Sequence, residues 1–257
     1  MSWDVFHAIA TGTSHLEKSL PCQDACEIWT KDDRFVAAIA DGAGSGSRSE
    51  LASSICTRRV VEAMSEYLQT ADVQPRDSRE LMAGSIARLI VTIEDVRSEI
   101  DSLAEAYSLA RSDLACTLVG AVALSVDEGY FFHVGDGAAV TQFEDPAVKP
   151  LVSPPENGEY SNETWFITAD EWRDHLRITA FAHRVGLIAI MSDGPMPFVM
   201  VRDRSKLFSG FIDPVEHYLR RSNIPDGNAG LRSILVSDRV NAITNDDKSL
   251  VIALPRR

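Results

Sequence analysis

Three closely spaced apolar runs between residues 117 and 143 limit the fold more than any other feature of this sequence. Residues 117–126, 130–134 and 138–143 each have the composition of a buried strand, and only three residues separate one run from the next. Parallel neighbours need a crossover of about a dozen residues or more, so turns this short favour antiparallel pairing. The sequence therefore predicts antiparallel meanders in this region.

Two amphipathic segments precede these strands. Apolar residues recur at helical spacing from Ala52 to Tyr67, and between Met82 and Tyr107 they alternate steps of four and three. A coiled coil would share this spacing, but no comparable seam follows, so packing of both helices on a sheet as one outer layer is favoured. Further strands are predicted at 35–40, 176–182, 187–191 and 249–254, and further helices at 205–221 and 228–240.

The chain has enough apolar material for one substantial core. Of its 257 residues, 45% are hydrophobic and 25% are charged, as in ordinary folded proteins. Residues 146–162 include four prolines and are the longest irregular stretch. We interpret residues 1–257 as a single domain with a surface excursion at about 146–162.

Net charge and hydropathy argue against nucleic acid binding and against a membrane-spanning segment. The 38 acidic and 25 basic residues give a formal charge of -13, which would repel a nucleic acid backbone. No apolar run approaches the roughly 18 residues that span a bilayer. Cys22 and Cys26 lack a second pair that would complete a zinc site, so we expect reduced thiols. The sequence predicts a cytoplasmic protein without nucleic acid or membrane partners.

Five aspartates share a position where an apolar run meets a turn: Asp24, Asp41, Asp136, Asp193 and Asp246. Strand ends that converge on one edge of a sandwich would bring these carboxylates together, where their repulsion requires compensating cations. Hard cations such as Mg²⁺ and Mn²⁺ prefer such oxygen ligands. Three of the aspartates precede glycine. A single Asp-Gly pair is usually only a turn, but three at the ends of apolar runs favour a shared metal site.

At these residues the sequence resembles the 2C-type (PPM) metal-dependent protein phosphatases, in particular their small bacterial branch. The matching segments occur in the family's order: 12–15, 22–25, 40–45, 116–118, 134–137, 158–164, 191–194 and 246–250. The resemblance implies an α+β fold, a four-layer α-β-β-α sandwich of two antiparallel sheets flanked by helices. It also implies hydrolysis of phosphoserine and phosphothreonine in phosphorylated proteins, substrates of a serine/threonine kinase.

The same resemblance implies a role for each aspartate. Asp41 would bridge two Mn²⁺ or Mg²⁺ ions and the Gly42 carbonyl would bind the second. Asp193 and Asp246 would complete the first site, and Asp24 would act through metal-bound water. Asp136 would join Asp193 at a third, weaker site. Since the metals activate water, no protein nucleophile is required, and Cys56 and Cys116 are expected in the core.

Two positions depart from the pattern of the family. Many members carry histidine after Asp-Gly, proposed as the acid that protonates the leaving group, but Ala43 stands there. Many also carry arginine before the first aspartate to bind phosphate, where this chain offers His15 and Lys18. Lysine lacks the bidentate geometry of arginine, so we expect weaker phosphate binding.

These departures keep a second function open: an inactive phosphatase-fold module that binds or regulates a partner. Retention of all five aspartates argues against it, because a binding scaffold has no need of like charges at one site. A small-molecule phosphatase would use the same residues and is not distinguished by sequence. His7 and His133 both lie on predicted strands, where packed histidines are more common than metal ligands or groups supporting them.

Overall fold

In the computed structural model, which describes residues 2–73, 77–156 and 164–256, the chain forms two five-stranded antiparallel sheets between two layers of helices. The strands are β1 (Trp3–Ala10), β2 (Ala25–Lys31), β3 (Arg34–Ala40), β4 (Leu118–Ala123), β5 (Gly129–Val134), β6 (Ala138–Phe143), β7 (Leu151–Ser153), β8 (Arg177–Phe181), β9 (Val185–Met191) and β10 (Lys248–Pro255). The helices are α1 (Thr13–Glu17), α2 (Ser49–Val73), α3 (Ser78–Tyr107), α4 (Trp172–His175), α5 (Met196–Val199), α6 (Ser209–Leu219), α7 (Ile224–Leu235) and α8 (Asp238–Asn241), with a 3₁₀ turn at Arg111–Leu114.

The two sheets pack face to face. One has the strand order β1-β10-β9-β6-β7 and the other β2-β3-β4-β5-β8. Strand β3 shows why its sequence is apolar throughout: Phe35 and Ile39 belong to the core between the sheets, whereas Val36 and Ala38 face the helices. Successive side chains of a strand point to opposite faces, and here both faces are buried.

Helices cover the outer face of each sheet. The long helices α2 and α3 pack together on the second sheet, where Met64 of α2 and Ile93 of α3 are fully buried. Helices α5 to α8 cover the first sheet through residues such as Ile212 and Leu231. The predicted four-layer α-β-β-α sandwich is confirmed, and so is the single helical layer predicted from the two amphipathic segments.

The predicted meander is wrong after β5. Strands β4 and β5 pair, but β6 pairs with β9 and β7 in the other sheet, so residues 135–137 carry the chain across the sandwich. The loop between β8 and β9 crosses in the same way. A short turn limits the distance between two consecutive strands, but it does not determine whether these strands pair with each other. Gly135 makes the crossing with φ of +117°, and a Cβ there would lie 2.6 Å from Thr117 Cγ2.

Three other boundaries differ from the sequence prediction. The helix predicted at 205–221 begins only at Ser209, because residues 201–206 form a tight loop. The helix predicted at 228–240 begins at Ile224, capped by Asn223, and is interrupted before Ser237 caps α8. The excursion at 146–162 contains β7, an edge strand on β6.

Residues 157–163, which include the end of that excursion, lie outside the described part of the chain, as do most residues of the matching segment 158–164. The assignment of the whole chain to a single domain stays a prediction. Within the described residues, no helix is both long enough and apolar enough to cross a bilayer.

Candidate active site and metal centre

A solvent-accessible cavity of about 450 Å³ collects most of the predicted site residues. It is lined by Asp41, Gly42, Asp136, Asp193 and Asp246, which come from loops far apart in sequence. These loops follow β3, β5 and β9 or precede β10, so they meet at one end of the sandwich. The convergence of strand ends that the sequence predicted is therefore present.

Asp41 is fixed where β3 ends. Its backbone N–H donates to Thr117 Oγ1 at 3.0 Å, and its carbonyl accepts from the Thr117 N–H at 2.8 Å. Gly42 then donates to the Gln23 carbonyl at 3.1 Å, and a Cβ on Gly42 would lie 2.7 Å from Ser49 Oγ. The turn after Asp41 therefore requires glycine for lack of space, with the carboxylate directed to the cavity.

Asp193 and Gly194 follow β9 in a similar way. The carbonyl of Asp193 accepts from the Met196 N–H at 3.0 Å, which starts the short helix α5. A Cβ on Gly194 would lie 2.0 Å from the carbonyl oxygen of Asp247, so only glycine allows this loop to cross the segment before β10. This crossing brings Asp193 next to Asp246.

The adjacent residues Asp246 and Asp247 have different environments. Asp246 is exposed at the rim of the cavity. Asp247 is buried and accepts three hydrogen bonds: from the Gly12 N–H at 2.6 Å, the Gln23 N–H at 2.6 Å and His15 Nδ1 at 2.9 Å. This role of Asp247 is not among those predicted from the sequence. Its carboxylate joins the loops after β1 and before β2 to the start of β10.

Asp24 is buried beside the cavity. Its Oδ2 accepts from the Ser192 hydroxyl at 2.8 Å, and the Ser192 oxygen also accepts from the Ser249 N–H at 3.0 Å. Burial, supported by the charges of Asp247 and Asp193, raises the pKa of Asp24 to about 7. Asp24 does not contribute to the cavity wall formed by the described residues, and its role through metal-bound water stays a prediction.

The carboxylates of Asp41 and Asp193 shift each other's pKa in opposite directions: Asp193 raises the pKa of Asp41, whereas a hydrogen bond from Asp41 lowers the pKa of Asp193. Burial, followed by the charges of Asp24 and Asp193, raises the pKa of Asp41 well above its ordinary value. Burial, followed by the charges of Asp246 and Asp136, raises the pKa of Asp193 to about 6. Asp41 and Asp193 lie within hydrogen-bonding reach of each other. A cation between them would remove this repulsion.

Asp136 lies in the loop that crosses from β5 to β6. The hydroxyl of Thr164 donates to its Oδ2, and both residues line the cavity. Thr164 is the last residue of the matching segment 158–164 and its only described one. Asp136 therefore faces the same space as Asp193, as a shared third site would require.

The two candidate phosphate ligands are separated. His15 lines the cavity, but its Nδ1 is paired with Asp247. Lys18 is exposed at the end of α1 and is not part of the cavity wall formed by the described residues. Ala43 lines the cavity, and its carbonyl accepts from Gly46 N–H and Ser49 Oγ. Position 43 thus offers the cavity no side-chain proton donor.

The remaining candidates belong to the scaffold. His133 is buried, with Nδ1 3.1 Å from Ser153 Oγ, and burial lowers its pKa well below the ordinary value. His7 is hydrogen-bonded to Asn228, as a packed histidine on β1 should be. Cys56 and Cys116 are buried in the core, and all four cysteines are free thiols.

The residues present fit a hard divalent cation. Oδ1 of Asp24 and Oδ1 of Asp193 are buried, and neither has a hydrogen-bond partner in the described part of the chain. Such unpaired buried oxygens are rare and indicate an additional partner. In the described ranges no group of three or more His, Cys, Asp or Glu side chains is arranged to hold a metal ion, so the fit rests on fewer carboxylates. Mg²⁺ needs only one or two carboxylates, since water supplies its other ligands.

Known proteins resemble this chain over nearly its whole length. The sequence profile described as Protein phosphatase 2C matches residues 11–236. Serine/threonine-protein phosphatase 3 of Escherichia coli K12 is 31% identical over 267 residues, covering 99% of each chain. Among solved structures, serine-threonine phosphatase 2C from Toxoplasma gondii has a TM-score of 0.63 at 12% identity, covering 98% of this chain and 95% of that one. RsbX, solved in complex with magnesium, has a TM-score of 0.55 at 13% identity, covering 98% and 95%.

Proposed function

Because the chain belongs to the protein phosphatase 2C family, we propose that it hydrolyses its substrates at two divalent cations held by Asp41, Gly42, Asp193 and Asp246. The chain is a protein serine/threonine phosphatase, and its family is metal-dependent. The observation that carries the proposal is the pair of unpartnered buried oxygens on Asp24 and Asp193, beside a cavity that Asp41 and Asp246 also line.

Each residue of this set has a separate task. Asp41 and Asp193 supply negative charge that burial and neighbouring carboxylates disfavour in the absence of a cation. No hydrogen bond from a described residue reaches the carbonyl oxygen of Gly42, which leaves it available as a ligand. Asp246 adds a carboxylate from the rim. When bound, the cations supply a water of lowered pKa and neutralise charge on the phosphoryl oxygens.

Asp24 and Asp136 take indirect or weaker roles in this proposal. Asp24 is held by Ser192 and presents its free Oδ1 as a hydrogen-bond acceptor for water next to the metals. Asp136 shares a third, weaker cation site with Asp193. His15, whose Nδ1 is paired with Asp247, contacts substrate phosphate in preference to the exposed Lys18.

The substrates are phosphorylated proteins, and we propose that a serine/threonine kinase supplies them. The family and the Escherichia coli relative do not favour the inactive binding module. Mn²⁺ and Mg²⁺ both suit this all-oxygen donor set. The proposed compartment is the cytoplasm, which is supported by the four free thiols.

The proposal is tested by phosphate release from a phosphoserine peptide and from p-nitrophenyl phosphate, each with Mn²⁺, with Mg²⁺ or with EDTA. Wild type is compared with Asp193→Asn and with Asp213→Asn, a matched change on the exposed face of α6. We expect activity only with metal, loss of activity in Asp193→Asn and retention in Asp213→Asn. Full activity in EDTA, or an Asp193→Asn enzyme as fast as wild type, would refute the assignment.

A further inference from the structure

Residues 199–208 form a hydrogen-bonded loop next to the active site. Met200 and Leu207 form an antiparallel bridge, the Val201 N–H donates to the Lys206 carbonyl at 3.0 Å, and the Phe208 N–H donates to the Val199 carbonyl at 2.8 Å. Val199, Met200 and Leu207 are buried in the core under the first sheet. The base of the loop is therefore anchored, and its tip, residues 202–205, is exposed.

Residues of the tip hydrogen-bond to one another. The Asp203 carboxylate accepts from the Ser205 N–H at 3.1 Å and from the Ser205 hydroxyl at 2.7 Å. Arg204 has φ of +57°, a left-handed conformation uncommon for arginine, and its N–H donates to the Val201 carbonyl at 2.8 Å. The Asp203 carboxylate is thus paired within the turn, while the side chains of Arg202 and Arg204 on either side of it are exposed.

Arg202 and Arg204 line a second cavity, of about 490 Å³, that adjoins the catalytic one. Asp193 and Asp246 line both cavities, so the two spaces meet at the proposed metal ligands. In the described ranges neither arginine forms a hydrogen bond or ion pair through its guanidinium group. Exposed guanidinium groups without partners, carried by an anchored loop beside an active site, are suited to bind an anionic group of a ligand.

We propose that Arg202 and Arg204 recognise a negatively charged group flanking the phosphorylated residue of the substrate, either an acidic side chain or a second phosphate. The inference rests on the proposed function and names the peptides that this site prefers. It makes the two arginines specificity-determining residues.

The position of the arginines favours a flanking group over the phosphate that is hydrolysed. Neither arginine lines the cavity that contains Asp41 and Gly42. They lie across Asp193 and Asp246 from it, so a ligand extending out of the catalytic cavity on that side would meet them.

The negative charge of the protein explains why a positive contact beside the site would help an acidic peptide to bind. A formal charge of -13 and a carboxylate-lined cavity repel acidic peptides. The loop carries three basic residues, Arg202, Arg204 and Lys206, against the single acidic residue Asp203. The loop is therefore a positively charged patch beside the site on a protein of negative net charge. It would orient an acidic segment of a substrate toward the cavity.

The test uses four phosphoserine peptides: one with neutral flanks, one with glutamates before the phosphoserine, one with glutamates after it, and one with a second phosphoserine. We would measure kcat and KM in Mn²⁺ at low and high salt for wild type and for Arg202→Ala/Arg204→Ala. We expect kcat/KM of the double variant to fall about 10-fold more for at least one anionic peptide than for the neutral peptide, mainly through KM, as two exposed charge pairs would produce. High salt should reduce this difference.

Three comparisons make the outcome decisive. Arg79→Ala removes an exposed charge at the start of α3 and should leave the ratios as in wild type. Arg202→Lys/Arg204→Lys should restore part of the preference. The peptide most affected tells acidic side chains from a second phosphate. Equal losses on neutral and anionic peptides, or no loss, would overturn the inference while leaving the proposed function intact. If the wild-type protein were inactive on all four peptides and on p-nitrophenyl phosphate, both the inference and the proposed function would be contradicted.

Discussion

Replacing Asp247 by asparagine should destabilise the protein, whereas the same change at Asp246 should not. The buried carboxylate of Asp247 accepts two backbone N–H groups and His15 Nδ1. An asparagine loses the charge assistance of these bonds and turns its NH₂ group toward at least one donor. The cost is roughly 3 kcal/mol, since charged acceptors contribute about 1.5–3 kcal/mol per bond and neutral ones about 1 kcal/mol. For a chain of this size, that lowers Tm by about 6–12 °C.

The assay is thermal unfolding of Asp246→Asn, Asp247→Asn and wild type, each with EDTA and with Mn²⁺. Asp246 is exposed, and its Oδ1 accepts from the Asp247 N–H at 2.9 Å, a bond that asparagine can also accept. Asp246→Asn should therefore unfold within about 0.5 kcal/mol of wild type in EDTA but lose much of the stabilisation by Mn²⁺. The assignment of Asp246 as a metal ligand and Asp247 as a structural residue would be wrong if Asp247→Asn were as stable as wild type. It would also be wrong if Asp246→Asn were the destabilised variant and Asp247→Asn the one that lost stabilisation by Mn²⁺.

Three further predictions follow from the same site. Asp41→Asn should abolish metal-dependent hydrolysis yet raise the Tm of the metal-free protein, because it removes repulsion without removing packing volume; an unchanged activity would exclude Asp41 as a ligand. The folded pKa values of Asp24 and Asp193, about 7 and about 6, exceed the ordinary value of 3.8. Protonation of these two carboxyl groups therefore stabilises the folded state. This contribution is fully present below about pH 4 and is lost as the pH rises through 6 to 7. Urea unfolding without metal should thus show stability falling from pH 5 to pH 8, by on the order of 3 kcal/mol, and Mn²⁺ should weaken the trend; a metal-free stability that rises over this range would contradict these pKa values. Ala43→His should raise kcat/KM for a phosphoserine peptide more than for p-nitrophenyl phosphate, by up to about 10²-fold, if the site lacks an acid for the leaving alkoxide; an unchanged ratio would mean that position 43 marks no missing acid.

Much of the fold could be predicted because the relevant signals are local. The spacing of apolar residues indicated α2 and α3, and the apolar runs indicated β3 to β6. Pairing between sheets could not be predicted, because β6 follows β5 after three residues but pairs with β9, which begins more than 40 residues later. Nothing in residues 135–137 specifies on which side of the sandwich the next strand continues.

The site was predicted from aspartates at strand ends, and five of the six predicted metal-binding residues line one cavity. Asp247 was missed because adjacent residues in sequence are equivalent until the backbone direction is known: both line the cavity, but Asp246 is exposed at its rim, whereas Asp247 is buried and hydrogen-bonded to Gly12, His15 and Gln23. The sequence alone carries no signal for this difference, because burial is a property of the fold. Arg202 and Arg204 were missed because nothing local distinguishes them from ordinary exposed arginines.

The central claim is that Asp41, Asp193 and Asp246 hold divalent cations in a site whose carboxylates repel one another in the metal-free protein. Calorimetric titration of the metal-free protein with Mn²⁺ at pH 7.5 tests it most directly, with wild type, Asp41→Asn and the control Asp213→Asn side by side. We expect wild type and Asp213→Asn to bind two ions with release of protons, since Asp24 and Asp41 have raised pKa values. Asp41→Asn should bind both ions more weakly, because Asp41 is the shared ligand. Two ions bound by Asp41→Asn as tightly as by wild type would contradict the claim.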